Sequence, residues 1–215
     1  MKYKAILLFG APGSGKGTQG KAIGCIPGFI HTSTGDMFRS LDPNSDMGKT
    51  AAEYARRGEL VPDEFTINLW SQTMEKWIAS QKFDPDADIL VMDGVPRNVQ
   101  QAQLLKDKID VVKIIYLEVS DINRMVDRLK KRALKEGRAD DADETVIRNR
   151  MEVYDRETAP VLGFYPKRKV TKVDALLSAA EVLNAITKIL IRLTKAGKPA
   201  RCSCSGRATA PRPPA

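Results

Sequence analysis

A glycine-rich segment, GAPGSGKGT at residues 10–18, directly follows the apolar run at residues 5–9. Glycines let the backbone wrap closely around an anion, with successive N–H groups and the positive end of the next helix pointing at it. Lys16 adds a cation for the β- and γ-phosphates. A glycine turn with a stray lysine is the alternative, but a strand directly before the loop favours a nucleoside triphosphate site. Its expected contacts are Gly13, Ser14, Gly15, Lys16, Gly17 and Thr18.

The segment departs from the general phosphate-loop pattern directly after its lysine. That pattern has Ser or Thr there as a magnesium ligand. Here the position is Gly17, and the hydroxyl follows at Thr18. We therefore expect Mg²⁺ to be held mainly through water and a carboxylate elsewhere in the chain, with Thr18 nearer the α-phosphate.

The rest of the chain alternates apolar β-like runs with helical patterns. Apolar residues recur at three- and four-residue steps over residues 65–78 and 182–193. Such alternation predicts a parallel sheet buried on both faces, with ligands at the carboxyl ends of its strands. The tryptophans and methionines of the first helical pattern fit a core-facing stripe. Four strands are predicted, at residues 3–9, 89–92, 111–117 and 170–173.

Composition narrows the protein class. The 215 residues can bury one good core, and no run approaches the roughly 18 apolar residues that span a bilayer. The first strand starts too early for a signal peptide. Three cysteines, Cys25, Cys202 and Cys204, make no disulfide framework, which fits a reducing cytoplasm, and the last two are too sparse for a zinc site. We therefore expect a cytoplasmic protein without a membrane partner.

The net charge of +8 is concentrated at the end of the chain. The last 24 residues contain no Asp or Glu, and without their six cations the net charge falls to +2. Residues 196–215 are rich in Pro, Gly, Ser and Ala, which predicts a basic disordered tail. An inert extension is favoured over a nucleic-acid or acidic partner. The six cations are Arg192, Lys195, Lys198, Arg201, Arg207 and Arg212.

A carboxylate and an arginine follow the second predicted strand. Asp93 ends that strand and is placed to hold hydrated Mg²⁺ beside a phosphate loop. Arg97, next to the rigid Pro96, can present a two-pronged donor to a phosphate. Asp93 and Gly94 alone would indicate only a turn, but the phosphate loop favours the functional interpretation.

Residues 3–191 resemble the adenylate kinase family. The resemblance rests on the loop at 10–18, the segments at 32–39 and 58–64, the DGVPR element at 93–97 and the arginine-rich stretch at 128–141. It implies an α/β P-loop NTPase fold, a parallel sheet flanked by helices on both faces, with inserted NMP-binding and short lid subdomains. The implied core comprises 1–32, 65–128 and 142–195, the NMP-binding part 33–64, and the lid 129–141.

The resemblance also implies an acceptor site for AMP. Thr34 favours AMP because relatives that prefer UMP or CMP tend to have Ala there. Val95 stands where Phe is usual, and Gln101 matches the glutamine that reads the adenine edge. The implied AMP-binding residues are Thr34, Arg39, Glu59, Leu60, Val61, Gly94, Arg97, Gln101, Arg138 and Arg150.

Six arginines lie within residues 124–150. The residues alone allow an ordinary charged helix, since Arg124, Arg128 and Arg132 are spaced i,i+4. The resemblance instead implies a lid in which Arg128 stacks on the ATP base, and Asp140 and Asp141 pair with arginines at the hinge. Arg132, Arg138 and Arg150 would contact phosphates. The lid is short and has no cysteine, which excludes the zinc-binding form.

One additional residue before Arg150 leaves the register of the last catalytic arginine open. The downstream match to Tyr154 favours Arg150, with Arg148 as the alternative.

The expected activity is reversible transfer of the γ-phosphoryl group of Mg·ATP to AMP, giving two ADP. Closure over both nucleotides predicts weak ATP hydrolysis without AMP. The expected partners are ATP, AMP and ADP, with Mg²⁺ as cofactor, no zinc, no nucleic acid and a monomeric state. A UMP/CMP kinase and a non-catalytic nucleotide-binding module are the alternatives. The expected catalytic residues are Lys16, Arg97, Arg132, Arg138 and Arg150.

Overall fold

The computed structural model describes residues 2–196, and these residues form an α/β fold around a parallel sheet. Within that range the sheet has five strands in the order β2-β3-β1-β4-β5. Non-consecutive neighbours require helical crossovers, which cover both faces of the sheet. The strands are β1 (Tyr3–Gly10), β2 (Phe29–Ser33), β3 (Ile89–Asp93), β4 (Ile109–Glu118) and β5 (Val170–Asp174).

Helices connect the strands, and most begin at a side-chain cap. Ser33, Ser45, Asn98, Asp121 and Asp143 each accept a hydrogen bond from a backbone N–H of the first turn. The helices are α1 (Lys16–Ile23), α2 (Thr34–Arg39), α3 (Asp46–Arg57), α4 (Asp63–Ala79), α5 (Val99–Leu105), α6 (Ile122–Glu136), α7 (Glu144–Val153) and α8 (Ala179–Ala196). A π-helical turn (Tyr154–Thr158) follows α7, and 3₁₀ turns lie at Ala139–Asp141, Ala159–Phe164 and Lys167–Lys169.

The central strand β1 sends alternate side chains into two apolar layers, as its apolar run at residues 5–9 predicts. On one face Ile6 and Leu8 belong to a cluster with residues of α1 and α8. On the other, Leu7 and Phe9 belong to a cluster with residues of α4 and α5. The prediction of a parallel sheet buried on both faces is confirmed.

The predicted helices and core stripe are confirmed by α4 and α8. Trp70 and Met74 are each 1% exposed, and Trp77 is half-buried with the Lys82 ammonium 3.7 Å from its ring centre.

The four predicted strands are present as β1, β3, β4 and β5, and the sequence analysis missed a fifth, β2. Its sequence, FIHTS, mixes apolar and polar residues over only five positions. β2 lies at the edge of the sheet and pairs with β3. Neither a continuous apolar run nor a regular alternation marks this segment, so the sequence pattern did not detect it.

The parallel register brings the carboxyl ends of three strands together. Leu8 of β1 and Ser33 of β2 both pair with Asp93 of β3. The phosphate loop, the start of α2 and the loop after Asp93 therefore leave the sheet at one edge. The site is built at this edge.

The subdomain division predicted from the sequence remains a prediction. Residues 33–64, here called the acceptor segment, contain α2 and α3. Residues 129–141, here called the lid, contain the second half of α6 and the turn Ala139–Asp141. Ala196 is the last residue of α8, and the rest of the predicted tail, residues 197–215, lies outside the described residues. None of the helices within residues 2–196 has the length and apolar character needed to cross a membrane.

Candidate active site

The phosphate loop connects the end of β1 to the start of α1, which begins at Lys16. Gly13 has φ +82°, and a Cβ atom there would lie 3.1 Å from the carbonyl oxygen of Met125, so the position requires glycine. The hydroxyl of Ser14 is buried and has no hydrogen-bond partner among residues 2–196. A buried hydroxyl with free bonding capacity at a helix start fits a phosphate ligand.

The Lys16 ammonium folds back over this loop. Its Nζ donates hydrogen bonds to the carbonyl oxygens of Gly10 (2.6 Å) and Ala11 (3.1 Å). Burial lowers the pKa of Lys16 from its ordinary value near 10.5 to about 8. Asp93 opposes this shift, while the charges of Arg97, Arg150 and Arg132 add to it. The ammonium therefore lacks full compensation by negative charge, and a phosphate would supply that charge.

Asp93 faces the phosphate loop across the sheet edge. It is 9% exposed, and a Cβ atom on Gly17 would lie 3.6 Å from its Oδ2. No residue in the range 2–196 donates a hydrogen bond to this carboxylate, and no group of three potential metal-binding side chains occurs in that range. A single free carboxylate beside a phosphate loop fits a hydrated Mg²⁺ that takes its other ligands from water and phosphate.

A hydrogen-bond network fixes the loop that carries Arg97. Its side-chain Nε donates to the carbonyl oxygen of Gly94 at 3.0 Å, and its backbone N–H donates to Oε1 of Gln101 at 2.7 Å. The hydroxyl of Thr158 donates to the carbonyl oxygen of Arg97 at 2.7 Å. Nε2 of Gln101 donates to Asp63 at 2.8 Å.

Sequence reasoning missed the positioning roles of Asp63 and Thr158. Asp63 also accepts a hydrogen bond from Asn98, so it joins the start of α4 to the start of α5. No local motif marks Thr158, because its partner lies 61 residues away and the contact depends on the π-helical turn.

The acceptor side of the cleft is formed by the start of α2. Thr34 is buried at its first turn, with its Oγ1 3.5 Å from the carbonyl oxygen of Asp93. Arg39 closes the helix and pairs with Asp36, which lowers the pKa of that carboxyl despite the opposing effect of its burial. Val95, where the family commonly has Phe, is buried in one cluster with Met37 and Ile67. This packing shows that valine fits the local core.

Asp140 and Asp141, at the end of the lid, orient Arg132 of the lid and Arg150 of α7. Asp141 is fully buried and accepts from Nε of Arg132 at 2.6 Å and from Nη1 of Arg150 at 2.5 Å. Asp140 lies 3.0 Å from Arg150. The predicted pairing of Asp140 and Asp141 with arginines is confirmed; the hinge function remains a prediction. Arg138 pairs with Glu136 at 2.8 Å.

The contacts also distinguish the two register candidates on α7. Arg150 lies at the cleft and bonds the acidic pair. Arg148 is exposed on the other side of the helix, where it pairs with Glu144. The geometry therefore favours Arg150.

One cleft of about 860 Å³ joins the phosphate loop, Asp93, the start of α2 and the arginines around them. Every site residue that the sequence indicated lies in its wall, including Glu59, Leu60 and Val61. Arg128 donates to the carbonyl oxygen of Ala175 at 2.8 Å. The individual binding and catalytic roles remain predictions.

Comparison with known proteins decides the family. The sequence model of the adenylate kinase family matches residues 8–170. The chain belongs to the adenylate kinase family. It is 39% identical to the adenylate kinase of Bacteroides thetaiotaomicron over 170 residues, which cover 76% of this chain and 85% of that protein. Identity to the adenylate kinase of Xanthomonas euvesicatoria pv. vesicatoria is 37% over 194 residues, which cover 87% of this chain and 99% of that protein.

Membership of the adenylate kinase family makes the protein a nucleoside monophosphate kinase that transfers a phosphoryl group to AMP. His31, the one histidine, does not line the cleft. It lies in β2 against α1, where a Cβ atom on Gly20 would be 2.2 Å from its Nε2. Burial lowers its pKa. These contacts favour a structural role for His31.

Proposed function

We propose that the cleft transfers the γ-phosphoryl group of Mg·ATP reversibly to AMP, giving two ADP, and that its chemistry is alignment and charge compensation. The observation that carries the proposal is the convergence of cations on the phosphate loop. Arg97, Arg132 and Arg150, from three separate elements, are all close enough to lower the pKa of Lys16. Like charges gathered this closely need an anion between them.

On the donor side, the loop amides, the Ser14 hydroxyl and Lys16 hold the triphosphate. Successive N–H groups at the start of α1 and the helix dipole favour the anion. A phosphate draws the Lys16 ammonium away from the carbonyl oxygens of Gly10 and Ala11. These two oxygens then accept hydrogen bonds from water or from the rearranged loop. Arg128, held by Ala175, flanks the donor base.

On the acceptor side, Arg39 and Arg97 bind the monophosphate of AMP. Arg97 keeps two guanidinium nitrogens for phosphate, because only its Nε bonds to Gly94. Gln101 approaches the base, although both ends of its amide already bond protein groups, Arg97 N–H and Asp63. We therefore assign Gln101 first to holding the loop and only then to reading adenine.

Arg132, Arg138 and Arg150 compensate the charge of the group in transfer. Planar guanidinium groups suit the equatorial oxygens of a phosphoryl group. The carboxylates of Asp140 and Asp141 fix two of these arginines from behind, so that their free nitrogens are oriented before the substrate arrives. Asp93 would hold Mg²⁺ through water, and the bound ion would neutralise phosphate charge.

The reaction needs no general base. The attacking oxygen belongs to the phosphate of AMP and is already ionised, so alignment can supply about 7–11 kcal/mol without proton transfer. The position of His31 outside the cleft agrees with this mechanism.

Initial rates of ADP formation with AMP, CMP and UMP as acceptors test the proposal. We expect AMP to have the highest kcat/KM, with activity lost when Mg²⁺ is chelated. A preference for UMP or CMP supports the alternative kinase. Nucleotide binding without ADP from any acceptor supports a binding module instead.

We also infer a monomeric, cytoplasmic protein without a nucleic-acid partner. Support comes from the three cysteines, which form no disulfide framework, and from the position of the net charge outside the body of the chain. Light scattering of the purified protein tests the monomeric state.

A further inference from the structure

The C-terminal end of α3, in the acceptor segment, contacts α7, which carries Arg150. The amide Nδ2 of Asn149 donates a hydrogen bond to the carbonyl oxygen of Arg57 at 2.5 Å, across 92 residues of sequence. Arg57 is the last residue of α3. Its carbonyl is one of the four that a helix leaves without an internal partner at this end. Asn149 therefore acts as a cap supplied by another part of the chain.

Gly58 brings the same end of α3 against the stem of Arg150. Its φ is +70°, and a Cβ atom there would lie 2.9 Å from Cγ of Arg150 and 3.0 Å from the carbonyl oxygen of Val146. Val146, Asn149 and Arg150 share one face of α7, at spacings of three and four residues. This glycine permits an approach that any side chain would block.

Arg150 is consequently held at both ends. Its guanidinium bonds Asp140 and Asp141 next to the lid, while its methylene stem lies against the acceptor segment. If the end of α3 moves away, the stem loses this contact and the carbonyl of Arg57 loses its donor.

We propose that Asn149 and Gly58 are positioning residues that link the location of the acceptor segment to the conformation of Arg150. Docking of α3 on α7 orders the arginine stem and so prepares the cleft for transfer only when the acceptor segment is in place. The inference rests on the proposed role of Arg150 in charge compensation.

Substitution of Asn149 tests the link. Asn149→Ala removes the donor without weakening α7, because alanine favours helix. We expect the KM for AMP to rise and kcat to fall. The combined decrease in kcat/KM should be roughly 2–10-fold, the scale of one neutral hydrogen bond. The KM for ATP should not change. Asn149→Asp, which places a carboxylate against the carbonyl of Arg57, should have a larger effect in the same direction.

The matched control is Asn184→Ala, together with Asn184→Asp. Asn184 lies exposed on α8, so these variants repeat the chemical changes and the helical context. We expect both controls to have wild-type kinetics. Equal effects at the two positions, or parallel increases in both KM values, would overturn the proposal.

Substitution of Gly58 provides the second arm. Gly58→Ala should lower kcat at least tenfold through the contact with the Arg150 stem. Gly28→Ala controls for backbone strain, since Gly28 has φ +84° and no atom within 4 Å of a Cβ. If Gly58→Ala fails to fold, the Asn149 series decides alone. Wild-type enzyme that forms no ADP refutes the proposed function, whereas wild-type activity with unaltered Asn149 variants refutes only this inference.

Discussion

The phosphate loop and the arginine cluster formed by Arg132 and Arg150 line the same cleft, but they are built differently. The loop is nine consecutive residues that present mainly backbone N–H groups, and its shape depends on glycines such as Gly13. The arginine cluster takes side chains from α6 and α7 and orients them on the fully buried Asp141. One site is fixed by backbone geometry and the other by charge.

The difference teaches where each half is vulnerable. A loop of backbone donors keeps its charge pattern whatever the pH, apart from Lys16, and fails when a side chain intrudes. The arginine cluster tolerates changes in shape but depends on a buried anion, whose removal leaves two guanidinium groups uncompensated.

The largest expected effect follows from removal of the Asp141 carboxylate. Asp141→Asn should lower the free energy of unfolding by about 3–5 kcal/mol, the cost of breaking a buried ion pair from one side. Urea titration measures this change. Glu144→Gln is the control, because Glu144 pairs with Lys130 and Arg148 at the surface, where water screens the charges and such pairs add little to stability. Similar losses in both variants would contradict the contrast drawn here.

Next is the arginine that faces the phosphate loop. Arg97→Met should lower kcat about 10²–10³-fold, the scale for one charge-stabilising donor, with a small change in thermal stability. Steady-state ADP formation is the readout. Arg156→Met, on an exposed surface pair with Glu157, should retain wild-type kcat. A loss below tenfold would remove Arg97 from its assigned role.

The pH dependence of ATP binding separates Lys16 from the permanently charged arginines. Because the pKa of Lys16 is about 8 in the free protein, ATP binding above this pH must first restore the proton. We expect the Kd for ATP to rise about fivefold between pH 8 and pH 9, with proton uptake in calorimetry in buffers of different ionisation enthalpy. The Lys16→Met variant should bind ATP weakly and without proton uptake. A Kd for ATP that does not change with pH in the wild-type protein would refute the lowered pKa of Lys16.

The same residue affects folding in the opposite direction. The pKa of Lys16 is lower in the folded protein than in the unfolded chain, so burial of its charge lowers the free energy of unfolding. This cost has its full size below about pH 8. This cost declines as the pH rises toward 10.5, the ordinary lysine value.

The smallest expected effect concerns the support of Arg97. Thr158→Val removes the hydroxyl that bonds the carbonyl oxygen of Arg97 while keeping the side-chain shape. We expect kcat to fall roughly 2–10-fold, the equivalent of one hydrogen bond, with Thr158→Ser restoring most of it. The control is Thr187→Val on α8, whose hydroxyl bonds only its own helix at Leu183. Failure of serine to rescue would contradict positioning through this bond.

The contrast between the two regions also explains what the sequence could predict. The phosphate loop and Asp93 follow apolar strands directly, so local pattern and the parallel-sheet rule locate both at one edge. The strand β2 was missed because its five residues, FIHTS, show neither a continuous apolar run nor a regular alternation. The contacts of Thr158 with Arg97 and of Asn149 with Arg57 join residues 61 and 92 positions apart. Periodicity carries no information about such pairs, which depend on how the helices pack.

The most direct test of the central claim is ATP consumption by the wild-type protein with and without AMP, with ADP and free phosphate measured together. The account predicts two ADP for each ATP when AMP is present, and only slow release of phosphate when it is absent. Release of phosphate without AMP at a rate comparable to ADP formation with AMP would contradict the claim that the cleft transfers phosphoryl groups between two nucleotides.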